Sequence, residues 1–131
     1  MPDYRRVTVV FRSRQDGESG TWAEERLAGQ WYRMATGWVL RCQDAMTVSI
    51  LQGDVRVVRQ GEVGVEQTFR LGASTQGAVR LPQGALAVEA FTHELTAELA
   101  ASGGTLYWRY DMRSEDQEMG RFEIGLDIRE E

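Results

Sequence analysis

The sequence predicts an all-β protein that folds as a single antiparallel up-and-down β-barrel across residues 1–131. Apolar and polar residues alternate along most of the chain, with the period of two that is typical of a strand with one buried face. Turn-forming residues return at spacings that are too short for strand–helix–strand crossovers, which favours an antiparallel meander. Because an open meander leaves two unpaired edges, we expect it to close into a barrel of about seven to nine strands.

The N-terminal half contains five predicted strands. They cover residues 7–11, 22–28, 37–42, 46–52 and 55–60. The first ends at the turn-forming run 15–20, and the second is predicted as a strand although it is rich in helix-forming residues. Between the last two, Gly53 and Asp54 have the spacing of a two-residue hairpin with glycine at its first central position.

The C-terminal half ends in two strands, 106–112 and 122–128, in which apolar residues occupy every second position. Turn signals precede and separate them at 61–64, 82–84, 102–104 and 114–120. The segment 85–101 has helical propensity, but it contains two sets of residues with period two, so we predict a strand. The sets are Leu86, Val88, Ala90 and Thr92 on one phase, and Phe91, His93, Leu95, Ala97 and Leu99 on the other.

The composition indicates one folded domain outside the membrane. Hydrophobic residues make up 42% of the chain and charged residues 27%, which is too apolar for a disordered segment. The early apolar run 7–11 is too short for a signal-peptide core or a membrane span. Cys42 is the single cysteine, so no disulfide forms within the chain and a reducing compartment is favoured. We therefore expect a cytoplasmic protein without a membrane partner.

Missing residue types exclude several kinds of chemistry. The chain has no lysine, which excludes Schiff-base catalysis and a phosphate-loop lysine. His93 is the single histidine, so a multi-histidine metal site is excluded, and we expect neither a metal nor a cofactor. A net charge of −5 argues against binding to a phosphate backbone, so we expect no nucleic-acid partner.

Four short segments carry a resemblance to a known family. They are Arg59-Gln60-Gly61, the run from Phe69 to Thr75, the run from Leu81 to Leu86, and the run from Leu106 to Met112. In order and spacing they resemble the YwiB-like family of small bacterial proteins, catalogued as the domain of unknown function DUF1934. The resemblance implies a calycin-like, lipocalin-related barrel and brings no accepted activity, and a shared fold does not define a function.

The candidate binding residues are arginines near strand ends, together with the groups that could surround them. An arginine that points into the barrel needs a carboxylate or a bound anion, since an unpaired buried charge is very costly. With an aromatic lining it would form a pocket for an anion or an amphiphile. The alternative is that the arginines pair across strands on the outside and that side chains fill the barrel. The candidates are Arg59, Arg80 and Arg109, the carboxylate Glu89, and the aromatic residues Trp108 and Tyr110.

Other reactive residues have simpler interpretations. Glu94 follows His93 directly and is expected on the opposite face, so it cannot easily orient the ring for general-base catalysis. Cys42 is expected to be a small core residue. The segment 72–77 is expected to form a turn or bulge, because its glycine spacing differs from that of a nucleophile elbow. The acidic stretch 111–118 is expected to be an exposed hairpin connection.

The leading functional hypothesis is a non-catalytic cytoplasmic barrel that binds a small apolar or anionic ligand or a partner protein. The alternative is a structural or protein-interaction module with a filled interior, which could be a homodimer rather than a monomer. A hydrolase ranks last, because no nucleophile, base and orienting group are seen together.

Overall fold

Ten antiparallel strands make up the fold in the computed structural model, which describes residues 4–15, 21–43, 46–115 and 117–131. They are β1 Tyr4–Gln15, β2 Ala23–Met34, β3 Gly37–Cys42, β4 Met46–Leu51, β5 Asp54–Arg59, β6 Gly64–Phe69, β7 Ser74–Leu81, β8 Gly84–Ala100, β9 Gly103–Ser114 and β10 Gln117–Glu130. Each strand pairs with the next, and β1 pairs with β10 to close the barrel. The predicted all-β, antiparallel up-and-down barrel is confirmed.

The predicted number of strands was too low. No strand was predicted between residues 61 and 84, whereas β6 and β7 form a hairpin there. Both segments with helical propensity are strands, because pairing with neighbouring strands satisfies their backbone groups. Residues 23–28 pair with β1, and β8 pairs with β7 as far as Phe91 and with β9 from Glu89 onwards. The described residues contain no helix that is long and apolar enough to cross a membrane.

A β-bulge explains the two competing phases in β8. The register with β9 shifts between Thr92 and Glu94, so His93 is an extra residue on β8. Thr92 before the bulge pairs with Tyr110, and Leu95 after it pairs with Trp108, so both point inward. The expectation that Phe91 and His93 share a face with Leu95 was therefore wrong, because one inserted residue exchanges the two faces of a strand.

Two predicted turns differ in detail. The β4–β5 hairpin turns at Gln52 and Gly53, with φ of 53° and 85°, so glycine occupies the second central position and not the first. The acidic stretch 111–118 lies largely within β9 and β10, so the connection between these strands is shorter than expected. Within the predicted turn 15–20, residues 16–20 lie outside the described residues.

Aromatic and aliphatic side chains fill the middle of the barrel. Trp108 and Tyr110 of β9 point inward and are 1% and 7% exposed. Phe69 packs against both rings, with centroid distances of 5.3 and 4.6 Å. Phe122 stacks on Tyr110, with ring centroids 5.4 Å apart. Burial raises the pKa of the Tyr110 hydroxyl to about 12, so it stays neutral in the folded barrel.

The buried hydroxyl of Thr92 leads to a stability prediction. Thr92 is 0% exposed, and its Oγ1 has no hydrogen-bond partner among the described residues. A buried polar group without a partner costs about 1–3 kcal/mol, and valine has nearly the same shape without the hydroxyl. We expect Thr92→Val to raise the free energy of unfolding by about 1 kcal/mol, measured by urea denaturation.

Thr75→Val is the matched control for this prediction. The Thr75 hydroxyl donates to the backbone carbonyl of Thr68, so its removal should lower the free energy of unfolding. A decrease for Thr92→Val as well would show that the Thr92 hydroxyl has a partner in solution.

Candidate functional site

The six predicted binding residues do not come together. Trp108 and Tyr110 lie inside the barrel, whereas three of the others lie on its outer face with partners on neighbouring strands. Arg80 pairs with Glu66 at 3.1 Å, Arg109 pairs with Glu94 at 3.0 Å, and the Gln76 amide donates to Glu89 at 3.0 Å. The wall of the barrel therefore separates the aromatic candidates from these charged ones.

Arg59 is placed differently from the other two arginines. It is the last residue of β5 and follows the phase of Val55 and Val57, which face the interior. Its side chain is exposed at the end of the barrel, opposite to the end where β1 begins. The distance along the strand separates it from Trp108 and Tyr110.

An aromatic and basic cluster occupies the end of the barrel where β1 begins. We call this concave surface the mouth. It is about 590 Å³ in volume, and its lining includes Tyr4 and Arg5 of β1, Trp31, Arg33 and Met34 of β2, and Trp38 of β3. Register places Trp31 opposite Arg5 and Trp38 opposite Arg33, so these side chains share the inward face.

Trp31 forms the floor of the mouth. Its ring is 1% exposed and stacks on Trp38, with centroids 4.9 Å apart and planes 4° apart. Its Nε1 donates to the carbonyl oxygen of Ala100 at 2.9 Å. Because Ala100 ends β8, this hydrogen bond ties two strands that are not neighbours in the sheet. Trp31 thus closes the end of the barrel beneath the exposed part of the mouth.

Arg33 supplies the positive charge of the mouth. Its guanidinium lies over the Trp38 ring at 5.8 Å from the centroid, within the range of a cation–π contact. Among the residues that the structure describes, no carboxylate pairs with Arg33 and none lines the mouth. Arg5 is paired with Glu130 at 2.9 Å. The sequence predicted an arginine beside inward-facing aromatic rings. The structure has this arrangement, but Arg33 and Trp38 form it instead of the predicted residues.

A second group of polar residues lies on the outer face of β8, β9 and β10. His93 Nε2 is 2.9 Å from Asp111 Oδ2, and Arg121 Nε donates to the other oxygen of Asp111 at 3.1 Å. Burial raises the pKa of the Asp111 carboxyl, but the hydrogen bonds from His93 and Arg121 outweigh it and hold the pKa below its usual value. His93 therefore has an orienting carboxylate, which the expectation based on Glu94 missed.

A buried carboxylate on the same outer face supports the wall of the barrel. The side chain of Glu123 is 8% exposed, accepts from Arg14 at 2.9 Å and accepts from the Tyr107 hydroxyl at 2.8 Å. Burial raises the pKa of Glu123, but the bonds from Arg14 and Tyr107 outweigh this effect and lower it. Burial beside Glu123 also raises the pKa of Tyr107 to about 12.

The lowered pKa of Glu123 predicts a stability effect at acid pH. Because the folded pKa lies below the unfolded one, Glu123 stabilises the fold above the unfolded pKa, and this contribution is lost as the pH falls through the folded pKa. We expect Glu123→Gln to be less stable than the natural chain at pH 7, with a gap that narrows below about pH 4.3. Urea denaturation across this range measures the gap. Glu98→Gln, at an exposed position, is the control, and a gap independent of pH would contradict the assignment.

The mouth is suited to binding, and the described residues do not assemble a metal site. No group of three or more histidine, cysteine, aspartate or glutamate side chains among them could hold a metal ion. At the mouth, Trp38 is half-buried, because Trp31 and Arg33 cover part of its ring, and the remainder of the ring is apolar surface. Arg33 can donate two parallel hydrogen bonds to a carboxylate or phosphate. This combination is complementary to a group that is both planar and negatively charged.

Comparisons with known proteins give a family and a fold. A family model described as "Domain of unknown function (DUF1934)" matches residues 7–126. The chain is similar in structure to one described as "Crystal structure of ywiB protein from Bacillus subtilis", with a TM-score of 0.85 and 22% sequence identity. The match covers 100% of this chain and 95% of that chain, and at this identity it shows the fold alone. No curated protein matches the chain.

Proposed function

We propose, from the premise that this chain belongs to the DUF1934 family of unknown function, that the barrel binds a small planar anion at its mouth without catalysing a reaction. The family match bears out the resemblance of the four short segments, and it carries no activity. The proposal therefore depends on the chemistry of the mouth. The observation that carries it is Arg33, which lies over Trp38 in a concave surface without a described carboxylate.

The size and location of the mouth support binding of a small molecule. A volume of about 590 Å³ lies within the range of about 300–1,000 Å³ that ligand pockets occupy, and barrel mouths are frequent sites. The middle of the barrel is occupied by its own side chains, as Phe69, Trp108 and Tyr110 illustrate. We accordingly propose binding at the end of the barrel and not in its centre, in a cytoplasmic protein for which the single cysteine is the supporting observation.

A pair of related probes tests the role of Arg33. 2-Naphthoate carries an aromatic surface and a carboxylate, whereas 2-naphthol has the same rings without the charge at neutral pH. We expect calorimetric titration to show tighter binding of 2-naphthoate. Arg33→Gln should weaken it about tenfold or more, since a hydrogen bond to a charged group contributes about 1.5–3 kcal/mol. The affinity for 2-naphthol should change little.

Arg26→Gln is the matched control, because Arg26 is an exposed arginine of the same strand on the opposite face. An equal loss of affinity in both variants would assign the effect to net charge and contradict the proposal. Heating the protein as purified and after refolding is a second test, since a ligand retained through purification raises the melting temperature of the first sample only.

A second candidate function uses the same end of the barrel. Two large apolar residues of the mouth lining are more than one-third exposed, namely Tyr4 at 39% and Met34 at 47%. Apolar surface around a pocket is typical of a contact with a protein partner or a second copy of the chain. Analytical ultracentrifugation tests for a second copy of the chain. A homodimer that Met34→Glu dissociates supports this contact, and a monomer at high concentration excludes it.

A further inference from the structure

Two β-bulges shape a second concave surface on the outer wall, far from the mouth residues along the strands. One bulge is at His93 of β8, and the other lies between Glu118 and Gly120 of β10. Both strands pair with β9, and a bulge increases the local bend of a strand. The resulting surface, which we call the wall pocket, has a volume of about 470 Å³. Its lining includes Ser74, Glu89, Phe91, His93, Arg113 and Glu118.

The hydrogen bonds of Asp111 determine which nitrogen of His93 faces a ligand. Arg121 donates to Oδ1 of Asp111, so the carboxylate is held in its charged form, which only accepts hydrogen bonds. In the neutral ring, Nε2 must then carry the hydrogen that it donates to Oδ2 at 2.9 Å. The lone pair is consequently on Nδ1. In this neutral form, His93 offers an acceptor at Nδ1 to any group that can donate a hydrogen bond.

The remaining lining combines an apolar surface with both donors and acceptors. Phe91 is 38% exposed and packs its ring against His93, with centroids 4.9 Å apart. Arg113 pairs in register with Glu89, and also with Glu118, on the two neighbouring strands. With neutral His93, the three carboxylates of the pocket exceed its two guanidinium groups by one. A pocket with this excess of negative charge does not favour an anion.

We infer that the wall pocket is a binding site for a neutral, hydroxyl-rich ligand with an apolar face, which is the chemistry of a saccharide. A hydroxyl group both donates and accepts, so one ligand can donate to His93 and Glu118 and accept from Arg113. Its C–H face can pack on the exposed ring of Phe91, which provides apolar contact without charge. This ligand differs in charge from the planar anion proposed for the mouth, and the two sites are independent.

Saturation-transfer NMR with maltotriose and methyl α-D-mannoside as probes tests this inference. We expect saturation of the sugar C–H protons and millimolar binding of at least one probe. Phe91→Ala should abolish the saturation, and His93→Ala should weaken binding about three- to tenfold, as expected for one neutral hydrogen bond. Val63→Ala, at an apolar residue of comparable exposure outside the pocket, should leave binding unchanged, and so should Arg33→Gln.

Three outcomes would overturn the inference. The first is that neither probe binds at 20 mM. The second is that a probe binds but Phe91→Ala has no effect on its binding. The third is that benzyltrimethylammonium binds in a way that depends on Phe91 while the sugars do not. The last result would assign the pocket to a cation. Circular dichroism of each variant confirms folding, and because Phe91 and His93 are exposed we expect no loss of structure.

Discussion

Trp31→Ala is expected to lower the free energy of unfolding by about 3–5 kcal/mol, the range for removal of a large buried aromatic ring. Trp31 is 1% exposed, stacks on Trp38 and donates to the carbonyl of Ala100. The substitution leaves a cavity and removes the hydrogen bond that ties β2 to the end of β8. Urea denaturation followed by far-ultraviolet circular dichroism measures the change without dependence on tryptophan fluorescence.

Trp22→Ala is the control for this prediction. Trp22 is 37% exposed and contacts Arg14 through its ring face at 4.5 Å. An exposed cation–π contact contributes about 0.5–1 kcal/mol, so the expected loss is several times smaller. Similar losses for Trp22→Ala and Trp31→Ala would contradict the assignment of Trp31 as the packed floor of the mouth.

Gly104→Ala is expected to lower the free energy of unfolding by about 3 kcal/mol or more, because two costs combine. Gly104 has a φ of +147°, which disfavours a side chain. A Cβ atom at this position would also lie 2.0 Å from the carbonyl oxygen of Glu98, which is backbone and cannot move aside alone. Thermal and urea unfolding should both report the lower stability, and a substantial fraction of the protein molecules should be unfolded at 37 °C.

Gly53→Ala separates the two costs. Gly53 also has a positive φ, of +85°, but no atom lies within 4 Å of the position of an added Cβ. It therefore carries the conformational cost alone, about 1–2 kcal/mol. If both substitutions cost the same, the close approach of β8 to β9 at Gly104 is not maintained in solution.

The barrel could be predicted from the sequence because strand alternation and turn residues are local signals. In β8, these local signals do not determine which residues point inward along the whole strand. Leu86 and Leu95 both point inward, although they are nine positions apart in sequence and so have opposite phases. An extra residue at His93 reconciles them, but the sequence does not say where a bulge is placed, since pairing with β9 determines it.

The candidate sites were less predictable, because both depend on register between strands. Asp111 reaches His93 from the neighbouring strand, eighteen positions further along the chain. At the mouth, the predicted second strand ended at residue 28, whereas β2 continues to Met34. If the predicted second strand had been extended to Met34, the hairpin turn before Gly37 would have placed Arg33 opposite Trp38. This pairing was the signal in the sequence that could have located the mouth.

Titration of the ¹⁵N-labelled protein with 2-naphthoate, observed through its four indole N–H resonances, tests binding at the mouth most directly. Trp31 and Trp38 form the mouth, Trp108 lies in the middle of the barrel, and Trp22 lies outside both. We expect the resonances of Trp31 and Trp38 to shift with one saturable binding curve and those of Trp22 and Trp108 to stay in place. Arg33→Gln should lower the affinity that this curve measures. A shift of Trp108 alone, or no saturable shift of Trp38, would contradict it.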